Sequence, residues 1–203
     1  MTTPLNIDQL SIERDERRLV QNFSLQALPG QLIQVAGPNG AGKSTLLRAI
    51  AGLYSGFEGQ IQVAGAQTPA QRRAQVLLWT ALPGVKSRLS ARQNLQWLLS
   101  LRGDCADPDP LLAQVGLRGW EDALAGLLST GQARRIALAS LLANESPLWC
   151  LDEPFNAIDV DGQALLAGLI RKRLAAGAVV LLATHHAPAD LQPDQVVNLG
   201  GGL

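Results

Sequence analysis

The sequence has few cysteines, no excess of charge of either sign and no long apolar run, and each absence excludes a class of protein. Its two cysteines, Cys105 and Cys150, stand far apart in neither a CxxC nor a CxxH spacing, which argues against a disulfide framework or a zinc site. Lys and Arg total 17, as do Asp and Glu. This balance argues against bulk nucleic acid or an anionic membrane surface as a partner.

No segment has the composition of a membrane span or a secretory leader. The first 18 residues contain no apolar stretch of signal-peptide length, and the most apolar later run, 178–183, is far too short to cross a bilayer. We therefore expect a soluble cytoplasmic protein that contacts a membrane only through another protein. Hydrophobic residues make up 47% and charged residues 17% of the 203 residues, which excludes intrinsic disorder and predicts a folded domain with a sizeable core.

Apolar periodicity predicts strands that alternate with helices. Two antiparallel strands are expected at 5–10 and 23–28, separated by the charged stretch 13–18, and a buried strand at 31–36 leads into a glycine-rich loop. Further strands are predicted at 60–63, 76–79, 148–151, 179–184 and 196–199. Helices are predicted at 43–53, 90–102, 111–115, 132–143 and 162–176, the second opened by a Ser90–Gln93 capping box. This order predicts an α/β fold with a mainly parallel sheet core, an N-terminal antiparallel β part and a helical subdomain inserted at about 80–145.

A complete phosphate-binding motif lies between a predicted strand and a predicted helix. Residues 37–44 match GxxxxGK[ST] in full. Glycines let backbone N–H groups turn inward around an anion, and the helix N-terminus adds further donors. We predict that Lys43 contacts the β- and γ-phosphates of a nucleoside triphosphate and that the Ser44 hydroxyl coordinates Mg²⁺. The predicted nucleotide-binding residues of this segment are Gly37, Pro38, Asn39, Gly40, Ala41, Gly42, Lys43, Ser44 and Thr45.

Two adjacent carboxylates, Asp152 and Glu153, follow the apolar strand predicted at 148–151. Ligands of α/β sheets bind beyond the carboxyl ends of the strands, so these side chains should face the phosphate loop. We predict that Asp152 holds Mg²⁺, directly or through water, and that Glu153 is the general base that polarises the attacking water. The alternative is that Asp-Glu-Pro only caps the following turn.

A third motif extends the pattern into the helical region. Leu128-Ser129-Thr130-Gly131-Gln132 precedes a predicted helix, and by itself it is an ordinary helix N-cap. Together with the preceding motifs, it resembles the signature loop of the ATP-binding cassette (ABC) family, which usually reads Leu-Ser-Gly-Gly-Gln, with Thr130 here in place of the first glycine. Asn156–Asp159 is similar to the D-loop of that family, and His185 to its switch histidine.

The resemblance implies a P-loop NTPase of the ABC ATPase type, with one nucleotide-binding domain over residues 1–203. It implies hydrolysis of ATP with Mg²⁺ as cofactor, and catalytic roles for Glu153 and His185, which contacts the γ-phosphate. It also implies a head-to-tail dimer with a second copy of the chain. In such a dimer, Ser129, Gly131 and Gln132 complete the nucleotide site of the opposite subunit.

Four stretches are similar in sequence to the ATP-binding subunits of the haem exporters that serve bacterial cytochrome c maturation. These stretches are 13–17, 37–43, 83–86 and 151–159. This implies an integral membrane subunit as partner and a peripheral location on the cytoplasmic face of the bacterial inner membrane. Haem would be involved only indirectly, and no nucleic-acid partner is expected. The alternatives are another small ABC exporter or importer, a soluble ABC ATPase that remodels nucleic acid or ribosomes, and a P-loop kinase for a small molecule.

Two positions depart from the usual pattern of the family. Arg14 stands where many cassettes stack an aromatic ring on adenine; its planar guanidinium can also stack, or it can belong to a solvated charge run. Leu82 stands immediately before Pro83-Gly84, where the family has the glutamine of its Gln-loop. A leucine has no oxygen with which to coordinate Mg²⁺, so we predict that the ion retains more water and that coupling to the helical subdomain is weaker.

Overall fold

The chain folds into two compact units, and the larger unit contains two sheets. The computed structural model describes residues 4–14, 17–80, 84–156, 158–184, 188 and 190–200. The larger unit, here called the core unit, comprises residues 1–80, 146–154 and 170–203. The smaller, here called the helical unit, comprises residues 81–145 and 155–169.

The strands and helices follow the predicted alternation, with shifted boundaries. The described strands are β1 (Leu5–Arg14), β2 (Arg17–Ala27), β3 (Leu32–Ala36), β4 (Phe57–Val63), β5 (Val76–Trp79), β6 (Leu148–Asp152), β7 (Val179–Ala183) and β8 (Gln195–Asn198). The described α-helices are α1 (Lys43–Ile50), α2 (Pro69–Gln75), α3 (Ala91–Ser100), α4 (Pro108–Gln114), α5 (Thr130–Leu142) and α6 (Val160–Ala175). None of the helices in the described part of the chain is long and apolar enough to cross a membrane.

The N-terminal antiparallel part is a three-stranded sheet in the order β2-β1-β4. Buried residues recur along β1 at Leu5, Ile7, Leu10 and Ile12, and the pairing register shifts between Ile7 and Leu10. The hairpin is longer than predicted, because the charged residues at 13–14 and 17–18 continue both strands instead of separating them. Paired strands accept exposed charged side chains when only one sheet face is buried.

The second sheet has five strands in the order β5-β6-β7-β3-β8, and every adjacent pair is parallel. The five residues of β7 are all buried, as expected for a strand covered on both faces. The predicted α/β fold with a mainly parallel core is therefore confirmed. Because β7 lies between β6 and β3, the carboxyl ends of these three strands meet at one edge of the sheet.

One helix, α2, is not predicted by the apolar pattern, because its seven residues (PAQRRAQ) are mostly polar. It begins with a capping box between Thr68 and Gln71 and with Pro69 in its first turn, which is a recognisable start signal. In the helical unit, the Ser90–Gln93 capping box that opens α3 is present as predicted. There α5 packs against α3 and α4.

Candidate nucleotide-binding site

The phosphate loop connects β3 to α1, and two of its glycines occupy positions closed to other residues. Gly37 has φ +142° and Gly42 has φ +96°, both in the left-handed half of backbone space. A Cβ on Gly37 would lie 2.5 Å from the carbonyl oxygen of Leu199, and one on Gly42 would lie 2.9 Å from the Cβ of Leu19. Conformation and space therefore both require glycine at these two positions.

Lys43, the first residue of α1, is 8% exposed and bends back over the loop. Its Nζ donates to the carbonyl oxygens of Gly37 at 2.7 Å and Pro38 at 3.0 Å. The loop therefore surrounds a nearly buried ammonium group at the N-terminal end of a helix, where the helix dipole adds positive potential. Such a site attracts a phosphate group.

The two carboxylates lie where predicted, at the end of β6. Asp152 is its last residue and pairs with Ala183 of β7. Glu153 follows at φ +47°, a left-handed conformation that costs a non-glycine residue about 1–2 kcal/mol. Its N–H donates to the carbonyl of Ala183 at 2.8 Å. Strain of this kind is concentrated at functional sites, where the surrounding structure holds it.

Thr184, the residue that follows β7, belongs to no motif that the sequence alone reveals. Its side chain is 4% exposed, and its Oγ1 donates to Oε2 of Glu153 at 3.1 Å. Of the adjacent residues Thr184 and His185, only the histidine matches a motif of the family. The contact depends on the order of the strands, which places β7 beside β6.

One cavity of about 530 Å³ in the core unit joins these parts. This volume is within the usual range of small-molecule sites, about 300–1,000 Å³. The lining includes six residues of the phosphate-loop segment, Asn39, Gly40, Gly42, Lys43, Ser44 and Thr45. Asp152 and Glu153 line it too, together with Arg14, Arg17 and Leu19 from the hairpin. Of the other predicted residues, Gly37 and Pro38 supply the carbonyls that hold Lys43.

Oxygen donors for a magnesium ion border the same cavity. Ser44 and Asp152 both line it, and each has a side-chain oxygen. Mg²⁺ prefers oxygen ligands, retains water and binds substrate phosphates. Within the described residues, His, Cys, Asp and Glu form no cluster of three or more that could hold a metal ion. An ion here would also need water and phosphate oxygens as ligands. The donor set therefore fits an ion that enters together with a nucleotide.

The hairpin brings two guanidinium groups to the cavity. Arg14 pairs with Arg17 across the end of the β1–β2 ladder, and both are exposed. Arg17 is missed by the sequence analysis, since it stands in a charged stretch with no motif of its own. The position of Arg14 is compatible with stacking on a base, and that role stays a prediction.

In the helical unit, the predicted signature segment forms the beginning of α5. Ser129 is the N-cap, and its Oγ accepts from the N–H of Gln132 at 3.2 Å. In return, Oε1 of Gln132 accepts from the N–H of Ser129 at 3.0 Å. Ser129 and Thr130 are exposed. The capping role that the sequence allows is thus present, and it fixes the backbone from which Ser129 projects.

The same helix holds the D-loop segment. Arg134 Nη1 donates to the carbonyl of Asn156 at 2.5 Å, and Arg135 Nη2 donates to Oδ2 of Asp159 at 2.5 Å. The hydrogen bond with Arg135 holds the pKa of Asp159 below its ordinary value of 3.8. Two further predicted positions, His185 and Leu82, lie outside the described residues.

Comparison with known proteins defines the class. The profile of the ABC transporter family matches residues 20–156, more than half of the chain. The chain therefore belongs to the ABC transporter family and is an ATP-hydrolysing, nucleotide-binding protein, which confirms the resemblance drawn from its motifs. The small-molecule kinase considered as an alternative is not supported.

Two relatives and two solved structures agree with this assignment. The chain is 44% identical over 190 residues to the cytochrome c biogenesis ATP-binding export protein CcmA of Methylococcus capsulatus, with 91% of this chain and 92% of that protein covered. It is 43% identical to CcmA of Pseudomonas fluorescens, with 92% and 91% covered. A putative ABC transporter ATP-binding protein from Pyrococcus furiosus superimposes with a TM-score of 0.78 at 25% identity and 96% coverage of both chains. An ATP-binding subunit of an ABC transporter gives 0.83 at 24% identity, covering 98% and 86%.

Proposed function

We propose that this chain is the ATP-hydrolysing subunit of a membrane ABC transporter of cytochrome c biogenesis, in which hydrolysis serves the delivery of haem. The observation that carries the proposal is the cavity lined both by the phosphate loop and by Asp152 and Glu153. The assignment to a transporter of cytochrome c biogenesis is supported by the similarity of the chain to CcmA proteins. Their name describes ATP-binding export proteins of cytochrome c biogenesis. Haem contacts a different subunit in this proposal.

In the proposed reaction, each side of the cavity has a separate task. Lys43 and the N–H groups at the start of α1 bind the β- and γ-phosphates, and Ser44 and Asp152 hold Mg²⁺. The ion, when bound, neutralises charge on the phosphate oxygens. Glu153 accepts the proton of the attacking water, and His185 contacts the γ-phosphate. Most of the catalysis is then positioning and electrostatics, as is usual for phosphoryl transfer.

A second copy of the chain completes the site from its signature segment. Ser129 and Thr130 are exposed, and a Cβ on Gly131 would meet no atom within 4 Å. A glycine inside a helix costs about 1 kcal/mol relative to alanine. Packing within the described chain gives no reason for a glycine at position 131. Close approach of a phosphate group to the backbone of Gly131 does give a reason. In a head-to-tail dimer, that phosphate belongs to the ATP of the opposite subunit.

The membrane subunit is proposed to dock on the helical unit near the loop that precedes α3, which would hold the chain at the cytoplasmic face of the inner membrane. Fully buried Asn94 holds this loop, since its side chain accepts from the N–H of Lys86 at 2.7 Å and donates to the carbonyl of Lys86 at 3.0 Å. The ammonium of Lys86 covers the ring of Trp97 at 4.0 Å, and Trp120 is 46% exposed. The loop is therefore a preformed surface.

The test is the substitution Glu153→Gln, which removes the base and keeps its shape. Turnover should fall by at least ~100-fold, the usual size of general-base effects, while ATP still binds. The matched control is Glu58→Gln, the same change at an exposed residue of β4 that does not line the nucleotide cavity. Turnover of Glu153→Gln within twofold of wild type would refute the base assignment.

The transport role is tested in cells. A bacterium that lacks its own cassette of this type should recover haem-stained c-type cytochromes with the wild-type chain and with Glu58→Gln, but not with Glu153→Gln. Recovery with none of the three, although the purified wild-type chain hydrolyses ATP, would reject the role in cytochrome c biogenesis and leave the ATPase assignment intact.

A further inference from the structure

Thr184 is a buried hydroxyl at the carboxyl edge of the parallel sheet. Its Oγ1 lies 3.1 Å from Oε2 of Glu153. An ionised carboxylate only accepts hydrogen bonds, so the hydroxyl is the donor. Thr184 is 4% exposed and the bond is partly buried, which reduces competition with water.

Backbone contacts fix both partners of this bond. The N–H of Glu153 donates to the carbonyl of Ala183 at 2.8 Å, so the residue before Thr184 holds the residue after β6. The side-chain amide of Gln34, on β3, donates to the carbonyl of Thr184 at 3.4 Å. The backbone that carries the Thr184 hydroxyl is thus held from the strands on either side of β7.

We propose that Thr184 is a positioning residue for ATP hydrolysis, which acts by holding the carboxylate of Glu153 in its working orientation. The terminal torsion of a glutamate side chain is intrinsically broad, and a hydrogen bond to one oxygen narrows it. A base works only when its oxygen lies within hydrogen-bond reach of the water, and a misplacement of about 1 Å can cost about 100-fold in rate. This inference rests on the proposed role of Glu153.

Thr184 takes no part in the bond changes of the reaction. The water oxygen bonds to the γ-phosphorus while the bond from that phosphorus to the bridging oxygen breaks, ADP leaves with the electron pair, and Glu153 takes up the proton of the water. Thr184 keeps its own proton throughout. Removal of the Thr184 hydroxyl should therefore lower kcat and leave ATP binding nearly unchanged.

The experiment compares Thr184→Val, which loses the hydroxyl at similar shape, with Thr184→Ser, which keeps it. We expect Thr184→Val to lower kcat by at least ~10-fold with the KM for ATP within about twofold, and Thr184→Ser to remain within about threefold of wild type. Thr68→Val is the matched control, since this threonine caps α2 by accepting from the N–H of Gln71. Its kcat should stay within about twofold of wild type.

A double mutant shows whether the effect passes through the base. In the Glu153→Gln background, Thr184→Val should change the residual turnover by less than about twofold, because the group it positions is already absent. If Thr184→Val does not fold, Thr184→Ala against Thr184→Ser gives the same comparison with one hydroxyl of difference.

Three results would overturn the proposal: wild-type kcat in Thr184→Val, an equal loss in Thr184→Ser, or an undiminished effect in the double mutant. An inactive Glu153→Gln beside a fully active Thr184→Val would reject only the positioning role. An active Glu153→Gln would reject the base assignment itself.

Discussion

At the scale of single residues, Asp159 joins two helices of the helical unit. Its Oδ1 accepts from the N–H of Gly162 at 3.1 Å in the first turn of α6, and its Oδ2 accepts from Arg135 on α5. The hydrogen bond with Arg135 is the largest cause of its lowered pKa. A carboxyl group whose pKa is lower in the folded than in the unfolded chain stabilises the fold above its ordinary pKa. That stabilisation is lost as the pH falls through the lower, folded value.

We expect Asp159→Asn to lower Tm at pH 7 and the gap from wild type to narrow as the pH approaches 3. Asparagine can still cap α6, so the change isolates the charge. The carboxylate is 53% exposed, and solvent screening limits its contribution to under ~1 kcal/mol, or roughly 2–4 °C in Tm. Thermal unfolding followed by circular dichroism measures this gap. Asp161→Asn removes a charge from the same helical turn as a control, and a gap that widens in acid would contradict the argument.

At the scale of elements, α2 ties the far end of the phosphate-loop helix to the antiparallel sheet. Arg72 is 2% exposed and donates to the carbonyls of Ala49 in α1 at 3.3 Å, Ile61 in β4 at 3.2 Å and Gln67 at 2.5 Å. Burial is the main cause of its lowered pKa. Its exposed neighbour Arg73 donates to one carbonyl after α1, that of Gly52, at 2.8 Å. Cations at a helix C-terminus also favour the helix dipole.

The two adjacent arginines allow a direct comparison of their effects on stability. Arg72→Met leaves three carbonyls without this donor and should lower the free energy of unfolding by about 2–4 kcal/mol. Arg73→Met removes one partly buried hydrogen bond of an exposed residue and should cost less than about 1 kcal/mol. Urea unfolding of both variants gives the two values. Equal losses would mean that burial of Arg72 contributes nothing beyond a surface hydrogen bond.

The spacing of the motifs predicts which residues form the nucleotide site better than it predicts the contacts that these residues make. The phosphate loop and the pair Asp152–Glu153 were found because their residue types follow apolar strands directly in sequence. Thr184 and Arg17 were not, because Thr184 meets Glu153, and Arg17 meets the cavity, only through strand pairing. Periodicity does not give the order of strands in a sheet. The short helix α2 was missed for a related reason, since it is held by two arginines instead of an apolar stripe.

At the scale of the whole molecule, the proposed head-to-tail dimer makes hydrolysis depend on two chains. Ser129→Asp tests this without loss of the helix cap, because aspartate caps as well as serine. Its carboxylate would face a triphosphate, so turnover should fall at least ~10-fold through like-charge repulsion. Thr68→Asp, the same change at the exposed cap of α2, should keep wild-type turnover.

Mixing Ser129→Asp with Lys43→Ala should then restore activity. A mixed dimer contains one intact phosphate loop facing one intact signature segment, so random pairing of independent sites restores about a quarter of wild-type turnover. Turnover is measured before and after subunit exchange, with mixed dimers counted by two different affinity tags. No recovery in demonstrated mixed dimers would contradict the head-to-tail arrangement.

The close approach of Leu199 to Gly37 has a consequence for synthesis on the ribosome. One side of the phosphate loop is formed by Leu199, which follows β8. Strand β8 pairs with β3, and the N–H of Leu199 donates to the carbonyl of Ala36 at 2.8 Å. A nascent chain that carries the complete phosphate-loop motif therefore still lacks one side of the loop until residue 199 has been made and is free to fold. Long-range strand pairing of this kind forms late. Binding of ATP would thus report that β8 has joined the sheet beside β3.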